Sequence, residues 1–267
     1  MTTAAYPTVW KKPPFIKSTY LRYSLWAAVL VYTFLALGSV EVNWSRVVEG
    51  ADRGMRFVKA FVQPDFVSRW PNIWKGLVES LTMTLCSTVA GIILAIPFGL
   101  GAARNLVPGW VYIFCRAFIA VSRSFQEIII AIICAAVFGF GTFAGFVTLT
   151  FATIGFLAKL IADEIEATNP HALTAMRATG ASWWQQVNYA IQPQISPRTI
   201  GLCLYRLDIN FRESAVIGVV GAGGIGATLN TAMDRYEYDS AAAILLIIIA
   251  LVMVAEYFSG IIRKRIQ

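Results

Sequence analysis

Charged residues leave long gaps in this chain. None lies between Arg22 and Glu41, between Glu79 and Arg104, or between Glu127 and Lys159. The stretch from Ser240 to Ala255 is apolar or small throughout. A membrane-spanning helix needs roughly 20 consecutive, mostly apolar residues. The run 128–158 is too long for one span, and Gly139, Gly141 and Gly145 suit a turn inside it. Two further apolar stretches carry charges: 110–137 holds Arg116, Arg123 and Glu127, and 200–220 holds Arg206, Asp208, Arg212 and Glu213. The pattern predicts an all-α integral membrane protein with six spans, at about 23–41, 77–103, 110–138, 145–166, 197–220 and 239–262. The spanning domain is 23–262, between tails 1–22 and 263–267.

Composition agrees. Hydrophobic residues make up 57% of the 267 and charged residues only 14%, where a soluble domain carries about 25% charged. That excludes a soluble enzyme, a disordered chain and a disulfide scaffold. Cys86, Cys115, Cys134 and Cys203 sit singly in apolar runs and read as small buried hydrophobes. The single histidine, His171, has no partners for a metal site. The first 22 residues are polar and carry no apparent cleavable signal.

The net charge of +7 matters for orientation rather than for nucleic acid. Lys11, Lys12, Lys17 and Arg22 before the first span, Arg104 after the second, Arg177 and Arg198 after the fourth, and Arg263, Lys264 and Arg265 at the end share one side. Cytoplasmic loops are enriched in Lys and Arg, so both termini are expected in the cytoplasm. Segment 42–76 breaks the rule with six cations of its own. Its pattern of Val47, Val48, Met55, Phe57, Val58, Phe61 and Val62 suits either an amphipathic helix on the outer surface or an irregular loop.

The longest cytoplasmic connection, 163–198, has its own architecture. Asn169 is a helix cap with Pro170 in the first helical position. A short helix over 171–179 presents Ala172, Leu173, Ala175, Met176 and Ala178 on one face, and Gly180 suits its end. Such a face needs cover, from a docked protein or from the headgroup layer.

Four arginines stand at membrane depth, where each costs on the order of 2.5–3.5 kcal/mol and normally faces a pore or a partner. Arg123 with Glu127, and Asp208 with Arg212, are spaced to pair on one helix face. Arg206 has Asn210 at that spacing and Arg116 has Ala120, which leaves guanidinium to spare. Arg116 lies near the cytoplasmic end and suits snorkelling. Arginine's planar fork suits an oxyanion, so Arg123, Glu127, Arg206 and Arg212 are the candidate pathway residues, Arg206 first. Gly221, Gly223 and Gly226 satisfy GxGxxG. They end a membrane helix instead of opening a βαβ unit, which argues against a dinucleotide. With Gly224 they suit close packing at a gate.

Segment 163–198 resembles the cytoplasmic loop of ATP-binding cassette importer permeases that carries Glu-Ala-Ala, a glycine and a later proline. Ala175, Gly180 and Pro193 match, while Thr174, Met176, Ala190 and Gln192 depart from the common pattern. Met-Arg-Ala-Thr-Gly-Ala at 176–181, Ile-Pro-Phe-Gly-Leu at 96–100, Asn-Leu-Val-Pro at 105–108, Leu-Tyr-Arg at 204–206 and Val-Val-Gly-Ala-Gly-Gly-Ile-Gly at 219–226 resemble the phosphonate/phosphite branch. The resemblance implies a bacterial inner-membrane permease that is not itself an enzyme. It also implies a dimer of two copies, two cytoplasmic ATPase subunits holding ATP and Mg, and a periplasmic binding protein. Residues Asn169, Pro170, His171, Leu173, Thr174, Ala175, Met176, Ala178 and Gly180 would then couple to the ATPase. The chain itself needs no cofactor. A stand-alone secondary transporter or channel for an anion is the alternative.

Overall fold

The computed structural model describes residues 16, 18–39 and 43–266, with side chains through 262. Lys11, Lys12 and Lys17, the last two residues of the first predicted span, and the side chains of Arg263, Lys264 and Arg265 lie outside the described residues. The described residues contain no strand. Two compact units divide the chain, residues 1–55 and 56–267.

The first unit holds α1 (Thr19–Gly38), capped by Ser18, whose hydroxyl accepts from the Leu21 N–H. It is apolar on every side, as a span is. Helix α2 (Trp44–Ala60) begins in this unit and ends in the second. Segment 42–76 thus contains an amphipathic helix rather than an irregular loop.

In the second unit α3 (Trp70–Gly101), α6 (Thr142–Glu166) and α11 (Tyr238–Ile266) are long apolar helices. Two predicted spans are bent. The one expected at 110–138 is α4 (Gly109–Ser124) and α5 (Glu127–Phe138), which meet at 92°. Phe125 and Gln126 between them are extended, with ψ of 135° and 143°. The one expected at 197–220 is longer. It runs through α8 (Trp183–Gln185), a π-helical turn (Gln186–Ile191), α9 (Gln192–Ile217) and a second π-helical turn (Gly218–Ala222). It then bends by 56° into α10 (Gly224–Asp234). The first π turn has a cause in sequence. Pro193 has no N–H to give, and the Gln192 N–H before it reaches back five residues to the Val187 carbonyl. Between α6 and α8 lies α7 (Pro170–Ala178), with Asn169 Oδ1 accepting from the His171 N–H at 2.9 Å.

Helices α3 and α6 form the most extensive contact of the fold. The buried face of α3 is a stripe of small residues, Gly76, Ser80, Thr84, Thr88, Gly91, Ala95 and Gly99. Spacing of three to four residues puts them on one side. Without a hydrophobic difference between helix and lipid, such small faces let backbones approach and supply the packing. A Cβ at Gly91 would lie 2.5 Å from Thr153 Cβ, and one at Gly99 2.9 Å from Ile161 Cγ2.

Gly91→Val should therefore lower the unfolding midpoint of the detergent-solubilised protein, with a cost of about 1–3 kcal/mol from overpacking. Gly50→Ala in α2, where a Cβ meets nothing within 4 Å, should leave the midpoint unchanged or raise it slightly. A midpoint insensitive to Gly91→Val would contradict the close α3–α6 contact.

Candidate functional site

The α4–α5 break lies level with the middle of α6. Ser122 Oγ, just before the break, donates to the Phe151 carbonyl at 3.2 Å. A Cβ at Gly155 would meet Ser122 and, at 3.4 Å, Cγ of Arg123. Residues 151–155 are the centre of the 25-residue helix α6, so the break sits at mid-height of this span-length helix. Extended backbone there is tolerated only where protein covers it or water reaches it. Arg123, Ser124, Phe125 and Gln126 are nevertheless exposed on the protomer, and Arg123 makes no ion pair among the described residues.

Behind the break lies a buried polar cluster at the same level. Arg206 is only 2% exposed. Its Nε donates to Thr153 Oγ1 at 3.1 Å, its guanidinium lies over the Phe156 ring at 5.2 Å, and Nη2 stands 3.6 Å from Glu127 Oε1. Asn210, one turn along α9, donates to Thr88 Oγ1 at 2.8 Å and Thr153 Oγ1 at 2.9 Å. Helices α3, α5, α6 and α9 thus meet through one network. Half-buried Glu213 interacts electrostatically with Glu127, Arg206 and Arg212.

One of the two expected pairings changes. Glu127 does not pair with Arg123 along one helix, because the helix ends between them and turns through 92°. Glu127 instead becomes the first residue of α5 and faces Arg206. Arg206, expected to lack a carboxylate and to face a pore, gains one through tertiary contact and is enclosed within the protomer. The Asp208–Arg212 pair forms as its spacing predicts, at 3.0 Å, with Arg212 half exposed. Arg116 does not snorkel freely; it contacts Asp163 at 3.3 Å and Glu166 at 3.0 Å, and its Nε donates to the Ala102 carbonyl. Thr88 and Thr153 join the network unannounced by any motif, and Asn210, marked in sequence only as the neutral residue four after Arg206, bridges them. Their one signal was an uncharged polar side chain inside an apolar run.

The glycine segment packs inside the protomer. Gly221, Gly223 and Gly224 have φ of 99°, 74° and 72°, a region costly for any residue with a Cβ. A Cβ on Gly223 would also lie 2.7 Å from the Thr142 nitrogen, and one on Gly226 would strike the Ala215 carbonyl. The Gly221 carbonyl accepts from the Gly141 N–H at 3.0 Å. Ser80 Oγ accepts from the Ile225 N–H at 2.9 Å, capping the start of α10. This junction lies beside the α5–α6 turn, at the end of α6 opposite α7.

At the α7 end the structure corrects one inference. The apolar face of α7 is already covered by its own protomer. Leu173 is buried, and Ala172 and Met176 pack with Leu106, Val187 and Ile191. What α7 leaves exposed is Asn169, Pro170, His171, Thr174, Ala175 and Ala178, together with Arg177, which is bonded to the Asn105 carbonyl; Gly180 follows at φ of 74° with nothing within 4 Å of a Cβ. Gly180 is thus required by backbone conformation rather than by close packing within the chain.

Residues 95–267, more than half the chain, match the family described as binding-protein-dependent transport system inner membrane component. The chain is 37% identical over 206 residues to the phosphate-import permease protein of Mycolicibacterium smegmatis, covering 77% of this chain but 39% of that longer relative. It is 35% identical over 205 residues to a phosphite transport system permease protein of Stutzerimonas stutzeri, covering 76% of this chain and 74% of the relative. In fold it is similar to the methionine transporter MetNI solved in inward-facing conformations, with a TM-score of 0.63, 24% identity, and coverage of 74% of this chain and 98% of that one.

The buried pair is testable by a double-mutant cycle. Arg206→Met and Glu127→Gln should each destabilise the solubilised protein, because each strands the opposite charge. The double change should cost less than the sum, with a coupling of roughly 0.5–3 kcal/mol. Strict additivity in denaturant titrations would mean that the two side chains do not interact.

Proposed function

The chain belongs to the family of binding-protein-dependent transport system inner membrane components, and from that premise we propose that it is the membrane subunit of an ATP-driven importer for a phosphorus oxyanion. In this reading six spans place both termini in the cytoplasm. Two copies enclose a pathway. A cytoplasmic ATPase pair holds ATP and Mg, and a periplasmic binding protein delivers the solute. ATP closes the ATPases, α7 moves with them, and the pathway changes the side it faces.

One observation carries the proposal: an exposed, broken helix with a free arginine at mid-membrane depth. Lipid is a poor neighbour for Arg123, Ser124 and Gln126. A second copy and an aqueous path between the copies would satisfy them. Arg123 would offer its fork to the passing anion, with Glu127 and Arg212 at the margins and Arg206 holding Glu127 in place from behind. The names of the two relatives, one a phosphate and one a phosphite system, support phosphorus as the central atom. Gly221, Gly223, Gly224 and Gly226 would form the outer gate. The exposed residues Asn169, Pro170, His171, Thr174, Ala175, Ala178 and Gly180 would meet the ATPase, while Leu173 and Met176 anchor that surface from beneath.

Uptake of radiolabelled phosphate, phosphite and methylphosphonate, each tried in turn with the assembled transporter in proteoliposomes, tests this reading. Arg123→Gln should keep expression and assembly yet lower uptake about tenfold or more, the loss of one charge-assisted hydrogen bond. Wild-type uptake by that variant would remove Arg123 from the pathway. For α7, Gly180→Arg should insert normally but stop transport, whereas Gly180→Ala, which has the same backbone strain without the bulk, should retain most of it. Equal rates in the two variants would show that no partner packs on this surface.

A further inference from the structure

Two side chains next to the exposed surface of α7 reach across to a different hairpin. Arg177 Nη2 donates to the Asn105 carbonyl at 2.7 Å, and its Nε donates to Gln186 Oε1 at 3.3 Å. Trp183 Nε1 donates to the next carbonyl, that of Leu106, at 3.0 Å. Two consecutive carbonyls of the α3–α4 turn are thus held from the C-terminal end of α7 and from the start of α8. Between them Leu106 is buried against Leu173 and Val187. The turn is also fixed to α6: the Arg104 N–H donates to Glu166 Oε1 at 2.9 Å, and Asn105 Nδ2 donates to the Ile165 carbonyl at 3.1 Å.

We propose that Arg177 and Trp183 are positioning residues that clamp α7 to the 102–108 turn and carry its displacement into α4. The inference rests on the coupling role of α7 given above. By covalent connection alone, α7 pulls on α6 through 167–169 and on α8 through 179–182. The clamp adds α4, which starts at Gly109 immediately after the turn, with Pro108 as its cap. At a rise of 1.5 Å per residue, α4 is about 24 Å long. Its far end is Arg123 and the mid-membrane break. Helix α4 is therefore a lever from the ATPase-facing surface to the one free arginine of the polar layer among the described residues. A carbonyl held by a side-chain donor from another segment moves with that segment or loses the bond. The Trp183 bond is half-buried, so losing it leaves the Leu106 carbonyl with poorer access to a replacement partner.

The experiment compares ATP hydrolysis and anion uptake in the assembled transporter, in the same proteoliposomes. Trp183→Phe keeps an aromatic ring and deletes the donor. Arg177→Gln deletes the charge, and Arg177→Lys keeps a donor for Asn105 but cannot also reach Gln186. The double variant Arg177→Gln/Trp183→Phe should assemble and hydrolyse ATP at the wild-type rate, yet move about tenfold less anion per ATP. Arg177→Lys should fall between it and wild type, a rescue that a merely structural role would not produce. An unchanged ratio of uptake to hydrolysis in the double variant overturns the clamp alone. Loss of the ATPase from the purified double variant also overturns it, by making these residues part of docking rather than of transmission. A wild-type complex whose uptake of every anion is independent of ATP overturns the functional reading, and the clamp with it.

Discussion

No water is available at the middle of a membrane to satisfy what a helix leaves open, and this constraint shapes the protein. The chain breaks a helix there, between Ser124 and Glu127, and encloses an arginine beside the break. Both need partners from elsewhere in the fold. Arg206 finds Thr153, Glu127 and the Phe156 ring, while Asn210 bridges Thr88 and Thr153. The network crosses four helices, so their relative positions are tied to one buried charge. On the other side of the break Arg123, Ser124, Phe125 and Gln126 are exposed and have no such cover within the chain.

Close approach makes the network possible. Side chains as short as threonine connect α3 with α6 because Gly91 lets the two helices touch at Thr153, and Gly155 likewise lets α4 touch α6 at Ser122. The glycine segment does the same at the far end of α6. There the left-handed conformations of Gly221, Gly223 and Gly224 turn the chain from α9 into α10 against the α5–α6 turn. Bulk or a Cβ at these positions would act on packing and on backbone strain together.

The end around α7 is built on the same economy of partners. Its apolar residues are satisfied inside the chain, and Arg177 and Trp183 are committed to carbonyls of the neighbouring turn. Helix α9 and helix α4 both leave this hub and both reach the mid-membrane layer, the one at Arg206 and the other at Arg123. The hub and the layer are therefore joined by rigid elements rather than by loops.

By itself the sequence determined the helical membrane class, because charge-free runs of span length have no other solution in lipid. It also determined the Asn169 cap, the Asp208–Arg212 pair and the glycine turn, since caps, i,i+4 spacing and positive φ are local properties. The family motifs in 96–100, 176–181 and 219–226 were legible for the same reason. Tertiary structure alone decided the rest. The Arg123–Glu127 spacing looked like a pair, but a right-angled break lies between those residues and gives Glu127 to Arg206. Leu173 and Met176 looked available to a partner, but a core cluster that draws Leu106, Val187 and Ile191 from distant parts of the chain already takes them in. Each of these outcomes depends on which helices lie side by side, and a hydrophobic pattern reports only the period of one helix at a time.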